Sequence, residues 1–169
     1  MSVALIRAAP AQESVLQNLF QLYIHDFSQL WAGTARGDVN ALGRFEDYPL
    51  GDYWHRPNWT AFFIRHGGEL AGFCLVNDHI HSGACLDRSI GEFFILRKHR
   101  MQGVGRSAAE QIFTAYPGLW EVAVARNNLK AQAFWRATIR EYAAASEIRE
   151  LDMQNASWNG PVFQFKRGV

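Results

Sequence analysis

Short apolar runs rich in aromatic and β-branched residues alternate along the chain with stretches whose apolar positions recur every three or four residues. Val3 to Arg7 predicts a first strand, and Pro10 then stands where helices begin. Leu16, Leu19, Phe20 and Tyr23 fall at i, i+3, i+4 and i+7, which makes one apolar stripe on a helix running to about Ser28. From Trp31 to Asn58 no period is sustained, so an irregular or short-helical connection is expected there. Thr60 to Arg65 and Leu70 to Val76 read as a hairpin turning at Gly67 and Gly68. Ile90 to Leu96 is apolar on both faces and so predicts a central strand. Helical spacing returns through Ala108, Ile112 and Ala115 and stops at Pro117-Gly118. A strand from Trp120 to Ala125, a helix from about Asn128 to Ile139, and two strands near Ser146 to Met153 and Pro161 to Lys166 complete the pattern. Strands alternating with helices in the centre, flanked by hairpins, imply an α/β (α+β) fold in which helices cover a mixed sheet.

The chain of 169 residues suits a single domain over 1–169, with 49% hydrophobic and 14% aromatic residues to fill its core. A net charge of +1 with mixed signs gives no footprint for nucleic acid. No apolar run reaches membrane-spanning length and the N-terminus lacks a secretory h-region, so a cytoplasmic location is expected. Cys74 and Cys85 are then expected to remain thiols, and the Asn58-Trp59-Thr60 and Asn155-Ala156-Ser157 glycosylation patterns to be chance.

Between the strand ending near Leu96 and the helix after Gly105 lie Gly103 and Gly105, with Arg97, Lys98, His99, Arg100 and Arg106 around them. Glycines let a backbone approach an anion closely, and a helix N-terminus supplies converging N–H donors, so this loop is a candidate pyrophosphate cradle. A Walker loop would need Gly-Lys-[Ser/Thr] where Gly105-Arg106-Ser107 stands. A dinucleotide fold would place its glycines after the first strand, with a third glycine where Ala108 stands.

Ile95-x-Arg97-x-x-Arg100-Met101-Gln102-Gly103-Val104-Gly105 resembles the central motif of the GNAT superfamily of N-acetyltransferases. Val122-x-Val124-x-x-x-Asn128-x-x-Ala131-x-x-Phe134-Trp135 is similar to that family's later strand and helix. The nearest likeness is to bacterial predicted acetyltransferases with Glu-Phe-Phe-hydrophobic-Leu-Arg before the loop. The resemblance implies a mostly antiparallel central sheet, splayed between the two central strands to admit the pantetheine arm of acetyl-CoA. It implies that Phe94, Ile95 and Leu96 pair with that arm, and that the N–H of Ile95 or Leu96 polarises the thioester carbonyl. Arg100 to Ser107 would hold the pyrophosphate, and Asn128, Ala131, Phe134 and Trp135 would contact the donor from the later helix.

The reaction so implied is direct attack of an amine on the thioester within a ternary complex. A lysine-like amine is protonated at neutral pH, so a group must take its proton. Glu92, a carboxylate in an apolar strand, is the leading candidate, its alternative being an ion pair with an arginine or exposure at an edge. Asp78, His79 and His81 form a second candidate group, and their spacing lacks the further ligands of a metal site, so no metal is expected. Tyr53 and Trp54 are candidates for walls of the acceptor site. Trp135 stands where many family members carry an acidic tyrosine; indole can shape the site but cannot serve as that acid. Tyr142, seven residues on, would be the fallback acid if the helix continues. Two other readings remain: a non-catalytic acyl-CoA-binding domain, and an anion-binding surface on an interaction module. The sequence names neither the acceptor nor the oligomeric state.

Overall fold

A computed structural model of the chain describes residues 2–34 and 36–168. Seven strands form one sheet in the order β1-β2-β3-β4-β5-β7-β6. They are β1 (Val3–Arg7), β2 (Thr60–His66), β3 (Glu69–Asn77), β4 (Arg88–Ile95), β5 (Gly118–Ala123), β6 (Ala145–Gln154) and β7 (Asn159–Arg167). Every pairing is antiparallel except β4 with β5. The helices are α1 (Glu13–Ser28), α2 (Gly51–His55), α3 (Val104–Ala115) and α4 (Leu129–Glu141). Among the described residues no helix is long and apolar enough to cross a membrane.

Each element has a local cause. Pro10 opens a short 3-10 turn that leads into α1. Gly67 and Gly68, with φ of 60° and 86°, supply the left-handed pair that a tight β2–β3 hairpin requires. The edge strand β6 is exposed along most of its length and carries Glu147, Arg149, Glu150 and Asp152, charges that discourage edge-to-edge pairing.

Two cores sit on opposite faces of the sheet. On one, Ile64, Ile90, Ile95, Trp120 and Val122 pack beneath α3 and α4 residues such as Val104, Ile112, Phe113 and Trp135. On the other, Phe63, Phe73, Leu75 and Phe94 meet Leu16, Leu19 and Phe20 of α1 together with Tyr53 of α2. Among the described residues, the long segment before β2 is irregular apart from a 3-10 turn at Gln29–Trp31 and α2.

β3 and β4 approach unusually closely at Gly72, which pairs with Ile95; an added Cβ there would stand 1.9 Å from the Phe94 carbonyl oxygen. Because the obstacle is backbone, relief requires strand separation. Gly72→Ala is expected to lower the unfolding free energy by about 2–3 kcal/mol, the upper part of the usual overpacking range of about 1–3 kcal/mol. The check is a lower urea midpoint at unchanged slope.

Candidate active site

The register of β4 changes at Gly91. Leu75 pairs with Glu92 while the next residue, Val76, pairs with Ile90, so Gly91 is an extra residue in the ladder. A bulge of this kind reverses the alternation of side chains beyond it. Ile90 therefore shares the α3–α4 core with Ile95, whereas Glu92 joins the α1 face with Phe94. Glycine is needed here: a Cβ on Gly91 would meet Asn77 Nδ2 at 2.5 Å and Tyr53 Oη at 3.0 Å.

The parallel ladder also ends at this point. β4 and β5 pair only through Arg88, Ser89 and Ile90 with Trp120, Glu121 and Val122. Beyond them β5 continues on β7 alone, and β4 presents an open edge. The Leu96 N–H is already committed to Ala71 O, 2.8 Å away. By ladder alternation the Ile95 N–H points the other way, toward the splay. Of the two thioester donors the resemblance allowed, Leu96 is thus occupied within the sheet. The Ile95 carbonyl accepts from Arg100 Nε at 2.6 Å.

At the mouth of the splay, the Arg97–His99 turn and two left-handed residues, Met101 (φ 58°) and Gly103 (φ 74°), reverse the chain into α3. Gly103 is the N-cap, and the first α3 bond runs from Ser107 N–H to Gly103 O at 2.9 Å. The amides of Val104, Gly105 and Arg106 precede that bond and project from the helix start. Gln102 braces the loop through Nε2 to Lys98 O at 2.7 Å.

The basic side chains of the loop are engaged elsewhere. Arg97 and Arg100 both donate to Asp26 of α1, Lys98 pairs with Glu69, and Arg106 pairs with Glu110 and Glu141. Although burial pushes the Asp26 carboxyl upward, the two arginines hold it below its ordinary range. Whereas Arg100 and Arg106 each hold a carboxylate with part of the guanidinium, the first amides of α3 have no acceptor within the helix. Behind them Phe134 packs on Gly105, where a Cβ would meet its ring at 3.3 Å. Trp135 is buried against Phe93 and Phe134, with centroids 5.0 and 4.9 Å apart. Asn128 is the N-cap of α4, its Oδ1 accepting from Ala131 N at 3.2 Å, so this pair starts the helix.

Glu92 is partly accessible, yet its carboxyl sits deep among aromatic rings. The Tyr23 hydroxyl donates to Glu92 Oε2, and Tyr48 lies beside it. No arginine, lysine or histidine pairs with Glu92 among the described residues, so the ion-pair alternative does not hold. Burial pushes the carboxyl up to about 7, against the opposing pull of Tyr23 and Tyr48. Of those two, only Tyr23 meets hydrogen-bond geometry. The folded state thus favours protonated Glu92, a contribution present below the ordinary glutamate range and lost as pH rises through about 7. Burial first, then the Glu92 charge, raises the Tyr23 phenol well above its usual value, so it remains a donor.

Of the other candidates, Tyr53 borders this cluster through Tyr48. Tyr53 is buried, accepting from Asn77 Nδ2 at 2.9 Å, and Trp54 donates to Glu13 Oε2 at 2.8 Å, tying α2 to α1. Asp78 accepts from Trp59 Nε1 at 2.6 Å. The His79 and His81 rings meet edge to face with centroids 4.7 Å apart, and His81 lies 4.3 Å from Trp158, in the turn between β3 and β4 at the closed end of the splay. Burial, then His79, holds the His81 ring below its ordinary range. That turn is pinned by the fully buried Glu121, which accepts from His81 N at 2.7 Å. The structure therefore does not bring His79 or His81 to Glu92. Nor does α4 continue as the Tyr142 expectation required: it ends at Glu141, and the Tyr142 hydroxyl lies 2.9 Å from Thr114 Oγ1 of α3. Tyr142 lines a depression of about 570 Å3 beside β1 and α3. Neither this depression nor one of about 310 Å3 beside α4 and β6 offers an unpaired carboxylate, since Glu110 is paired with Arg106 and Glu150 with Arg136.

Residues 16–138 match the model of the acetyltransferase (GNAT) family. Among solved structures, an acetyltransferase from Thermus thermophilus is 19% identical with a TM-score of 0.65, over 100% of this chain and 98% of that one. The ribosomal-protein-S18-alanine N-acetyltransferase from Escherichia coli is 8% identical with a TM-score of 0.58, over 99% and 96%. A chimera of the Vibrio cholerae spermidine N-acetyltransferase SpeG and hSSAT is 14% identical with a TM-score of 0.55, over 98% and 94%. At these identities the likeness is one of fold. No curated protein sequence matches the chain.

Proposed function

Because the chain belongs to the GNAT acetyltransferase family, we propose that it transfers an acetyl group from acetyl-CoA to a primary amine of a small molecule, amino acid or peptide. The observation that carries this reading is Glu92: a partly accessible residue beside the point where β4 leaves β5, its carboxyl without a basic partner and pushed by burial to about 7. A base poised near neutral pH is ionised often enough to act and basic enough to accept a proton.

The donor's pyrophosphate would rest on the amides at the start of α3, with its pantetheine arm along the open edge of β4. The acceptor would approach from the α1 face, where Glu92 takes its proton directly or through a water. As the amine nitrogen attacks, the C–N bond forms and negative charge moves to the carbonyl oxygen. The Ile95 N–H would stabilise that charge. Collapse breaks the C–S bond and releases CoA. Its thiol has a pKa near that of cysteine, about 8.5, so the thiolate can depart without a dedicated acid. Trp135 would shape this part of the site.

Trp135→Phe is accordingly expected to keep substantial activity, and Tyr142→Phe to be nearly silent in turnover. The latter loses one hydrogen bond to Thr114, worth about 1 kcal/mol of stability. A hundredfold loss in Tyr142→Phe, with stability and CoA binding intact, would place the acid there after all.

The test of the function is release of free thiol from acetyl-CoA across a panel of primary amines, with the acetylated product identified by mass. Amine-dependent release supports transfer. Binding of CoA without release on any amine would support the non-catalytic acyl-CoA-binding reading.

A further inference from the structure

We propose that Tyr23 is a positioning residue for Glu92: its hydroxyl aims the carboxylate into the acceptor site and sets the pH range over which it accepts a proton. This rests on the reading of Glu92 as the base.

The geometry gives the phenol one place to be. Its ring is held by Phe20, Phe27, Phe73 and Phe94, with centroids 5.8, 4.8, 5.7 and 5.6 Å away. One turn further along α1, Asp26 fastens the same helix to Arg97 and Arg100 of the donor loop. The Tyr23 hydroxyl is thus fixed relative both to β4 and to the loop that would carry the pyrophosphate. With one proton to give, it satisfies one carboxylate oxygen of Glu92 and leaves the other for a substrate proton.

The groups facing Glu92 leave Tyr23 as the dominant local influence. Tyr48, from the segment before α2, lies beside Glu92 without a hydrogen bond of good geometry, and Tyr53 of α2 is engaged with Asn77. Cys74 of β3 lies on the other face of the sheet, its thiol pushed up by burial and then by the Glu92 charge, so it stays neutral. Asp26 of α1 and Arg100 of the donor loop are paired with each other. A hydrogen bond donated to a carboxylate favours its ionised form. Removing it therefore moves Glu92 ionisation upward, and the acidic limb of the rate profile moves with it.

Tyr23→Phe keeps the ring packing and deletes only the donor. With acetyl-CoA saturating, the break in log kcat/KM assigned to Glu92 is expected to move up by about one pH unit. Turnover at pH 7 should fall about tenfold and recover to within about threefold at high pH, with CoA affinity unchanged. A difluorotyrosine at position 23 preserves the shape and strengthens the donor, and it should move the break downward. Superimposable profiles for all three proteins would overturn the proposal, as would a pH-independent loss. Glu92→Gln measured alongside separates the two claims. If it abolishes turnover while Tyr23→Phe matches wild type, only the Tyr23 role fails; if it turns over as wild type, the base assignment fails and takes the Tyr23 role with it.

Discussion

Glu92→Gln is expected to lower turnover at neutral pH by about 100-fold or more while leaving CoA affinity nearly unchanged. Glutamine keeps the volume and can still face the Tyr23 hydroxyl, but it cannot hold the acceptor's proton. The split between turnover and donor binding follows from the architecture. Glu92 lies on the α1 face beyond the Gly91 bulge, whereas the donor amides lie at the start of α3. The variant also removes a group that resists ionisation, so its stability above pH 7 should equal or exceed that of wild type. Kinetics at saturating acetyl-CoA with CoA titration, alongside a denaturant curve, checks all three statements. Wild-type turnover in this protein would move the proton acceptor elsewhere.

Gly103→Val is expected to weaken CoA binding by about tenfold or more without loss of the fold. Gly103 has φ 74°, a conformation that costs a side-chain-bearing residue about 1–2 kcal/mol, and a β-branched one at least as much. An added Cβ there would meet no protein atom within 4 Å, so the strain is not compounded by a clash. That same open space over the backbone is where a pyrophosphate must approach the α3 amides. Valine therefore acts twice, by pulling the N-cap out of its left-handed turn and by filling the approach. Unchanged affinity in a folded Gly103→Val protein, measured by calorimetry, would remove the cradle from this loop.

Much of this could be read from the sequence because its causes are local. The hairpin at Gly67 and Gly68, the start of α1 after Pro10, and the strand-loop-helix around Gly103 depend on backbone preferences of a few neighbouring residues. The seven strands and the parallel β4–β5 pair agree with the expected mixed sheet. What was not legible depends on distant partners. Ile90, Gly91 and Glu92 read as one apolar strand, and only the pairing with β3 shows that Gly91 is extra and that Glu92 faces α1. Tyr23 completed an apolar stripe; a phenol in such a stripe needs a partner, but its identity, 69 positions away, comes from the fold. That Arg100 and Arg106 also hold Asp26, Glu110 and Glu141 comes from the fold and not from the spacing of the loop. Tyr142 followed helix-favouring neighbours, yet β6 begins pairing with β7 at Ala145 and draws the chain out of α4.

The most direct test of the central claim, that Glu92 removes the acceptor's proton, is the pH dependence of kcat/KM for wild type and Glu92→Gln with one strongly basic amine. The account predicts a break near pH 7 in wild type, where the slope of log kcat/KM falls by about one as Glu92 becomes ionised, and no such break in the variant. The same break persisting in Glu92→Gln would contradict it.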